Sequence, residues 1–184
     1  MSEEIRLFLF GPPRIQQNDN EIHIGRQKVV GLLAYLAIEA VAVSRDKLAA
    51  MFWPEEAEVA ARANLRHSLS LLRTALGSEH IIATRDAVKI DDTLWTDVTE
   101  FDELLQEGAQ TVDQATRITL FERAIGLFKD GLLTGIRITD SVEFDDWSFL
   151  TAEIYKNRAI EICNRLTELY EASANYSQAI EKQR

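Results

Sequence analysis

The chain has 184 residues, of which 46% are hydrophobic and 27% charged; this length suits one large or two small domains, and the composition excludes a disordered protein. The single cysteine excludes an internal disulfide, and no stretch approaches the roughly 20 apolar residues of a membrane-spanning helix, so we expect a cytoplasmic protein with no membrane partner. Residues 1–96 hold 11 basic and 13 acidic residues, whereas residues 97–184 hold 9 and 17, so the net charge of −10 does not exclude a basic face in the first half.

The chain begins with a pattern that predicts a small antiparallel sheet. Ile5–Phe10 is a short apolar run that ends at Gly11–Pro13. Two short alternating segments follow, Arg14–Gln16 and Glu21–Ile24, and the polar residues between them predict a hairpin turn over Gln17–Asn20.

Three helices are predicted next, because the apolar spacing changes to three and four residues. The first covers Arg26–Glu39. Ser44 is expected to cap a shorter second helix, Arg45–Trp53, which Pro54 ends. The third covers Glu55–Leu76, with Gly77 at the usual C-terminal stop.

A β-hairpin is predicted after the third helix, from strands at Ile81–Thr84 and Val88–Ile90 joined by Arg85–Ala87. A sheet, three helices and a terminal hairpin form the plan of a winged helix-turn-helix. We therefore predict a winged-helix domain over residues 1–96, with the boundary near Leu94–Val98.

The second half shows only helical patterns, which predicts an all-α domain over residues 97–184. The mainly α fold thus has its small β component at the N-terminus. The predicted helices are one capped by Asp97 with Glu100 and ending at Glu107, one capped by Thr111 with Gln114 and ending at Phe128, one over Val142–Ala172, and one that begins at Tyr176–Ile180. Because the chain stops within a helical pattern, we expect it to be a piece of a longer protein.

Enzyme motifs are missing from the sequence. There is no G-x-x-x-x-G-K-[ST] phosphate loop, no G-x-G-x-x-G and no H-E-x-x-H, and the three histidines are scattered. A single cysteine cannot form a zinc set, and Cys163, beside an apolar helical stripe, is expected to be a packed small hydrophobe. We therefore predict no catalytic activity, no metal and no cofactor.

The third helix carries the pattern with a functional meaning. On a helical wheel, Arg62, Arg66 and Arg73 fall within a sector about 60–100° from the leucine stripe that starts at Leu65, so they form one row. Guanidinium groups suit phosphate oxygens and guanine edges. The alternative is a solvated face, in which the arginines pair with Glu58 or another carboxylate.

The predicted partner of this face is double-stranded DNA. Several further polar and basic residues are expected to join the arginine row, either on the same helix, in the hairpin or near the first two helices, where they would hold phosphates. The predicted DNA-contact residues are Arg62, Arg66, His67, Ser70 and Arg73 of the third helix, Arg85 and Lys89 of the hairpin, and Lys28, Arg45 and Lys47.

Several motifs in a fixed order carry a resemblance to a known family. They are LFLFGPPRI (Leu7–Ile15), LLAYLAI (Leu32–Ile38), SRDKLAAMFWP (Ser44–Pro54), ARANLRHSLSLLRTALG (Ala61–Gly77), WTDVTEFDELL (Trp95–Leu105) and AIGLFKDGLLTGI (Ala124–Ile136). The chain resembles the transcriptional activators of the Streptomyces antibiotic regulatory protein (SARP) type. Its second half resembles the bacterial transcriptional activator domain.

The resemblance implies a winged helix of the response-regulator output type, followed by hairpins similar to tetratricopeptide repeats (TPR). It implies that the third helix is the recognition helix, with Arg62, Arg66, Ser70 and Arg73 facing the DNA. It also implies an activator that binds promoter-proximal direct repeats, often as a side-by-side homodimer, and helps to recruit RNA polymerase.

A second hypothesis is a protein-interaction module. In it the TPR-like half holds a partner helix and the winged helix does not bind DNA. The two hypotheses differ in a measurable property, because only the first predicts an affinity for duplex DNA that falls steeply with salt.

Overall fold

The computed structural model describes residues 5–18 and 20–181, with side chains as far as residue 173. Asp19, in the predicted hairpin turn, lies outside the described residues. The elements are β1 (Ile5–Phe8), β2 (Arg14–Gln17), β3 (Asn20–Ile22), α1 (Gln27–Glu39), β4 (Val43–Ser44), α2 (Arg45–Phe52), α3 (Glu58–Leu76), β5 (Ile81–Ala83), β6 (Ala87–Ile90), β7 (Trp95–Thr96), α4 (Asp97–Gln110), α5 (Gln114–Leu127) and α6 (Val142–Glu181).

The described strands form two sheets. The first has the order β3-β2-β1-β7, in which β1 pairs antiparallel with β2 and parallel with β7. The second has the order β4-β6-β5 and contains the hairpin that follows α3. The predicted leading sheet and hairpin are therefore confirmed, but β4 and β7 were not predicted, because two-residue strands leave no alternating pattern.

Strand β1 ends two residues earlier than predicted, and Asp97 is the reason. The backbone N–H groups of Leu9 and Phe10 donate to the Asp97 carboxylate at 2.8 and 3.0 Å, so they turn away from the sheet. Burial raises the pKa of Asp97, and these two hydrogen bonds oppose the rise. The prediction that Asp97 caps α4 is therefore wrong: the cap is Thr96, whose hydroxyl accepts from the Thr99 N–H at 2.9 Å.

The predicted cap of α5 is also displaced. Asp113, not Thr111, is the N-cap, and its carboxylate accepts from the backbone N–H and the hydroxyl of Thr116 at 2.8 and 2.6 Å. These hydrogen bonds to the ionised form lower the pKa of Asp113. Thr111 instead ends α4, where its N–H donates to the Glu107 carbonyl.

The first three helices follow the prediction closely. Ser44 caps α2 by accepting from the Lys47 N–H at 3.2 Å. Helix α3 begins at Glu58 rather than Glu55, because the chain forms a turn closed by a hydrogen bond from the Glu56 N–H to the Trp53 carbonyl. Gly77 ends α3 with a φ of +90°, a conformation that favours glycine.

Helix α6 corrects two predictions. It runs without a break from Val142 to Glu181, so the separate helix predicted at Tyr176–Ile180 is wrong; no glycine or proline interrupts the sequence between. Cys163 is exposed rather than packed. It follows the buried Ile162 by one residue, which turns its side chain about 100° away from the buried stripe.

One hydrophobic core continues through both halves of the chain. A Cβ added to Gly31 of α1 would meet the side chains of Ile138 and Phe144, so these two side chains pack directly against the backbone of α1. Tyr35 of α1 packs edge-on against Trp147 of α6, with ring centroids 4.7 Å apart. The division into domains 1–96 and 97–184 stays a prediction. The shared hydrophobic core packs the two segments against each other.

Candidate nucleic-acid interface

Helix α3 presents its arginines beside a buried stripe, as the wheel predicted. Leu65, Leu69 and Leu72 are buried against the core of the first half. Arg62 and Arg66 are exposed and Arg73 is half-buried. The three guanidinium groups therefore lie along one flank of a 19-residue helix that stands at the surface.

The hairpin β5–β6 is held against the start of α2, and Arg45 makes the connection. Its backbone N–H donates to the Asp86 carbonyl at 2.8 Å, and its side-chain Nε donates to the Thr84 carbonyl at 2.9 Å. Arg85 lies between these two acceptors, at the exposed tip of the hairpin. The wing tip thus has a defined position next to α3.

A cleft of about 440 Å³ lies between α3, the start of α2 and the wing tip. We call it the arginine cleft; it is lined by Arg45, Arg62, Leu65, Arg66, Leu69, Arg73, Thr84 and Arg85. The fold therefore brings five of the ten predicted DNA-contact residues to one concave surface. Thr84 was missed by the sequence analysis, because an uncharged hairpin residue carries no signal for a binding site.

The arginine cleft is strongly positive, since guanidinium groups stay protonated at any physiological pH. Among the described residues, no carboxylate lies within 4 Å of the guanidinium groups of Arg66, Arg73 or Arg85. Arg62 differs, because it pairs with Asp46 at 2.7 Å and with Glu58 at 3.0 Å. The surface can bind a polyanion: four of its arginines have no acidic partner among the described residues, and one has two.

The Arg45 side chain donates to a backbone carbonyl and not to a carboxylate. Its positive charge, like that of Arg66, Arg73 and Arg85, therefore has no acidic partner among the described residues. Two other predicted residues, His67 and Ser70, are exposed on α3 but do not line the arginine cleft. Lys47 is exposed on α2, with its Nζ 5.6 Å from the Tyr35 ring centroid, and a hydrogen bond with Tyr35 raises its pKa. Lys47 thus lies on the side of α2 that faces α1, away from the arginine cleft.

Two predicted phosphate contacts have acidic partners within the chain. Lys89 of the wing pairs with Asp92 at 2.7 Å. Lys28 of α1 pairs with Asp140, and this hydrogen bond lowers the pKa of Asp140. Lys28 therefore links α1 to the loop before α6 and is not brought into the arginine cleft.

Other kinds of site find no support in the described part of the chain. It contains no group of three or more histidine, cysteine or acidic side chains that could hold a metal ion. None of its helices is both long and apolar enough to span a membrane.

The fold is a winged helix with a leading sheet, followed by a helical domain. Among solved structures, the chain is similar to Mycobacterium tuberculosis EmbR in complex with a low-affinity phosphopeptide, with a TM-score of 0.79 and 19% sequence identity. The match covers 98% of this chain and 49% of the EmbR chain, so this chain spans about half the length of EmbR. The fold class expected from the sequence is thereby confirmed.

Comparison with models of protein families found no match, and neither did comparison with curated protein sequences.

Proposed function

We propose that this chain is the DNA-binding part of a transcriptional regulator, with the arginine cleft as its surface for duplex DNA. The observation that carries the proposal is the cleft itself, where arginines from three elements face one concave space. Phosphate contacts supply most of the sequence-independent affinity for DNA, and guanidinium groups suit them. The cleft gathers this positive charge although the net charge of the chain is −10, which favours a polyanionic partner at this surface.

The geometry suggests how the duplex would be held. Helix α3 enters the major groove, where Arg66 and Ser70 face the bases. Arg85 at the wing tip and Arg45 beside it hold phosphates of the adjoining backbone. Lys89, which is paired with Asp92, contributes less. The rigid attachment of the wing through Arg45 fixes the distance between these two sets of contacts.

The finer functions follow from the likeness of fold and motifs. We propose that the chain is an activator that binds promoter-proximal direct repeats as a homodimer and helps to recruit RNA polymerase. It acts in the cytoplasm and has no catalytic activity. EmbR supports the transcriptional role through its fold and its identity as a regulator.

A second candidate function is a protein contact made by the helical half. Helix α6 exposes Phe149, Leu150 and Ile154, at 66%, 61% and 51% of their surface. A cluster of large apolar side chains in water favours a partner surface. If protein binding were the sole function, the winged helix would show no salt-dependent affinity for DNA.

The experiment that tests DNA binding is a fluorescence-anisotropy titration of the chain against a random-sequence duplex at several salt concentrations. The variant Arg62→Ala/Arg66→Ala/Arg73→Ala removes the row on α3. The matched control, Arg123→Ala/Arg158→Ala/Arg165→Ala, removes the same charge from the helical half.

We expect binding that weakens steeply with salt, is lost in the α3 variant and persists in the control, because released counterions drive the association. Equal loss in both variants would show that total charge, and not the cleft, attracts the duplex. No binding at low salt would contradict the proposal and favour the protein contact of the helical half.

A further inference from the structure

Arg62 has different surroundings from the other arginines of the cleft. One of its terminal nitrogens, Nη2, lies 2.7 Å from Asp46 and 3.0 Å from Glu58. Asp46 belongs to α2 and Glu58 is one turn before Arg62 on α3. We call these two carboxylates the acidic pair. The acidic pair neutralises the positive charge of Arg62, with one carboxylate from α2 and one from α3.

The acidic pair does little for the stability of the fold. The side chains of Asp46 and Glu58 keep 70% and 77% of their surface exposed, and exposed ion pairs are weak because water and salt screen them. Each carboxylate lies in the first turn of its helix and favours the helix dipole there, but this does not explain why both meet Arg62.

The position of the acidic pair supplies that explanation. Arg62 lines the arginine cleft and also an adjoining groove, which the acidic pair lines together with Trp53 and Pro54. The carboxylates thus stand at the rim where a phosphate backbone would approach. They repel that backbone, and they occupy the guanidinium that would otherwise bind it.

We propose that the acidic pair limits the sequence-independent affinity of the arginine cleft for duplex DNA. This inference rests on the proposed function. Phosphate contacts are the same for every DNA sequence, and they supply the affinity for random DNA. An arginine whose guanidinium is already paired with carboxylates therefore adds little to that affinity. Asp46 and Glu58 thus lower the affinity for duplex DNA of every sequence alike.

The test compares Asp46→Asn, Glu58→Gln and the double variant with the wild type, by anisotropy against random-sequence duplex over a range of salt. Glu161→Gln is a matched control: Glu161 pairs with Arg165 four residues later at 2.6 Å, as Glu58 pairs with Arg62, but it lies on α6. The melting temperature of each variant verifies that the fold is kept.

We expect the double variant to bind random duplex about 3- to 10-fold more tightly at low salt, with a salt dependence steeper by about one released counterion. Glu161→Gln should have little effect. Arg62→Ala should weaken binding slightly in the wild-type background, and it should remove most of the gain in the double variant, since the freed guanidinium is the main cause.

The outcomes separate the two proposals. Wild-type binding that is salt-dependent but unchanged in the double variant overturns the role of the acidic pair and leaves the arginine cleft intact. An equal gain from Glu161→Gln also overturns it, since net charge would then be the cause. No binding by the wild type or by the double variant contradicts both proposals together.

Discussion

Arg62 and Arg66 lie one turn apart on α3, yet they meet different electrostatic surroundings. The two carboxylates beside Arg62 come from the first turns of α2 and α3, whereas Arg66 lies beyond their reach, with its guanidinium directed to the arginine cleft. At the scale of single residues, the sequence predicts which side chains share a helix face. It does not predict which of them are already paired.

Arg66→Ala tests the role of the unpaired arginine. We expect it to weaken binding to a selected specific duplex by about 1–3 kcal/mol, because a guanidinium that reads a base edge contributes about that much. The measurement is the dissociation constant for a duplex enriched from a random pool. Arg165→Ala on α6 is the control, and an equal effect there would contradict the assignment.

Asp97 is a second residue whose role depends on its neighbours. Its carboxylate accepts two backbone N–H groups, whereas an asparagine in its place would accept one and direct its own NH₂ group at the other. We expect Asp97→Asn to lower the free energy of unfolding by about 1–3 kcal/mol, since a buried donor is left without an acceptor. Urea unfolding measures this, and Asp113→Asn at an exposed cap is a comparison that should cost less.

At the scale of elements, the helical half depends on a close approach of α4 to α5. A Cβ at Gly108 of α4 would clash with the ring of Phe121, which is itself buried. Arg117 of α5 also donates to the Gly108 carbonyl, at 3.1 Å from its Nε. The two helices therefore pack around a position where only glycine fits.

Gly108→Val tests this packing. We expect it to lower the free energy of unfolding by about 1–3 kcal/mol, because an overpacked contact forces the helices apart. Gly126→Val on α5 is a matched control, since a Cβ there meets nothing within 4 Å. Because valine has a higher helix propensity than glycine, a loss at Gly126 as large as at Gly108 would contradict the assignment to this packing contact.

At the scale of the whole molecule, contacts far apart in sequence join the winged helix to the helical half. The Ser141 hydroxyl donates to the Met51 carbonyl, and the Trp147 Nε1–H donates to Glu39 at 2.8 Å. Leu133 returns to the first sheet, where its N–H donates to the Leu9 carbonyl at 2.9 Å. These contacts fix the positions of α1 and α2. Because both helices pack against α3, the contacts also fix the position of α3.

The ion pair between Lys28 and Asp140 belongs to this junction, and its effect depends on pH. Lys28 lowers the pKa of Asp140 below its ordinary 3.8, so the stabilisation is present above that value and is lost as pH falls through the lowered pKa. We expect Lys28→Met to cost under about 1 kcal/mol of unfolding free energy at pH 7, since the pair is partly exposed. The difference from wild type should vanish in acid.

Duplex binding separates the two roles that Lys28 could have. If its role is the junction, Lys28→Met leaves the affinity for random duplex unchanged at constant salt. A loss of affinity without a loss of stability would favour the phosphate contact expected from the sequence.

Local periodicity and turn chemistry determined much of this protein from the sequence by itself. The helices α1 to α3, the cap at Ser44 and the end of α3 at Gly77 depend on neighbouring residues, and each was predicted within three residues of its observed place. The arginine row on α3 was also predictable, because residues three and four apart share a helix face.

Only the tertiary structure decided which distant residues meet. Arg45 and Arg85 join the row on α3 because the wing folds back onto the start of α2, whereas Lys28 is drawn to Asp140. Asp97 turns inward to the N–H groups of Leu9 and Phe10, just beyond the end of β1, although its position in the sequence is that of a helix cap. Such choices depend on burial and on long-range partners, which local patterns do not contain.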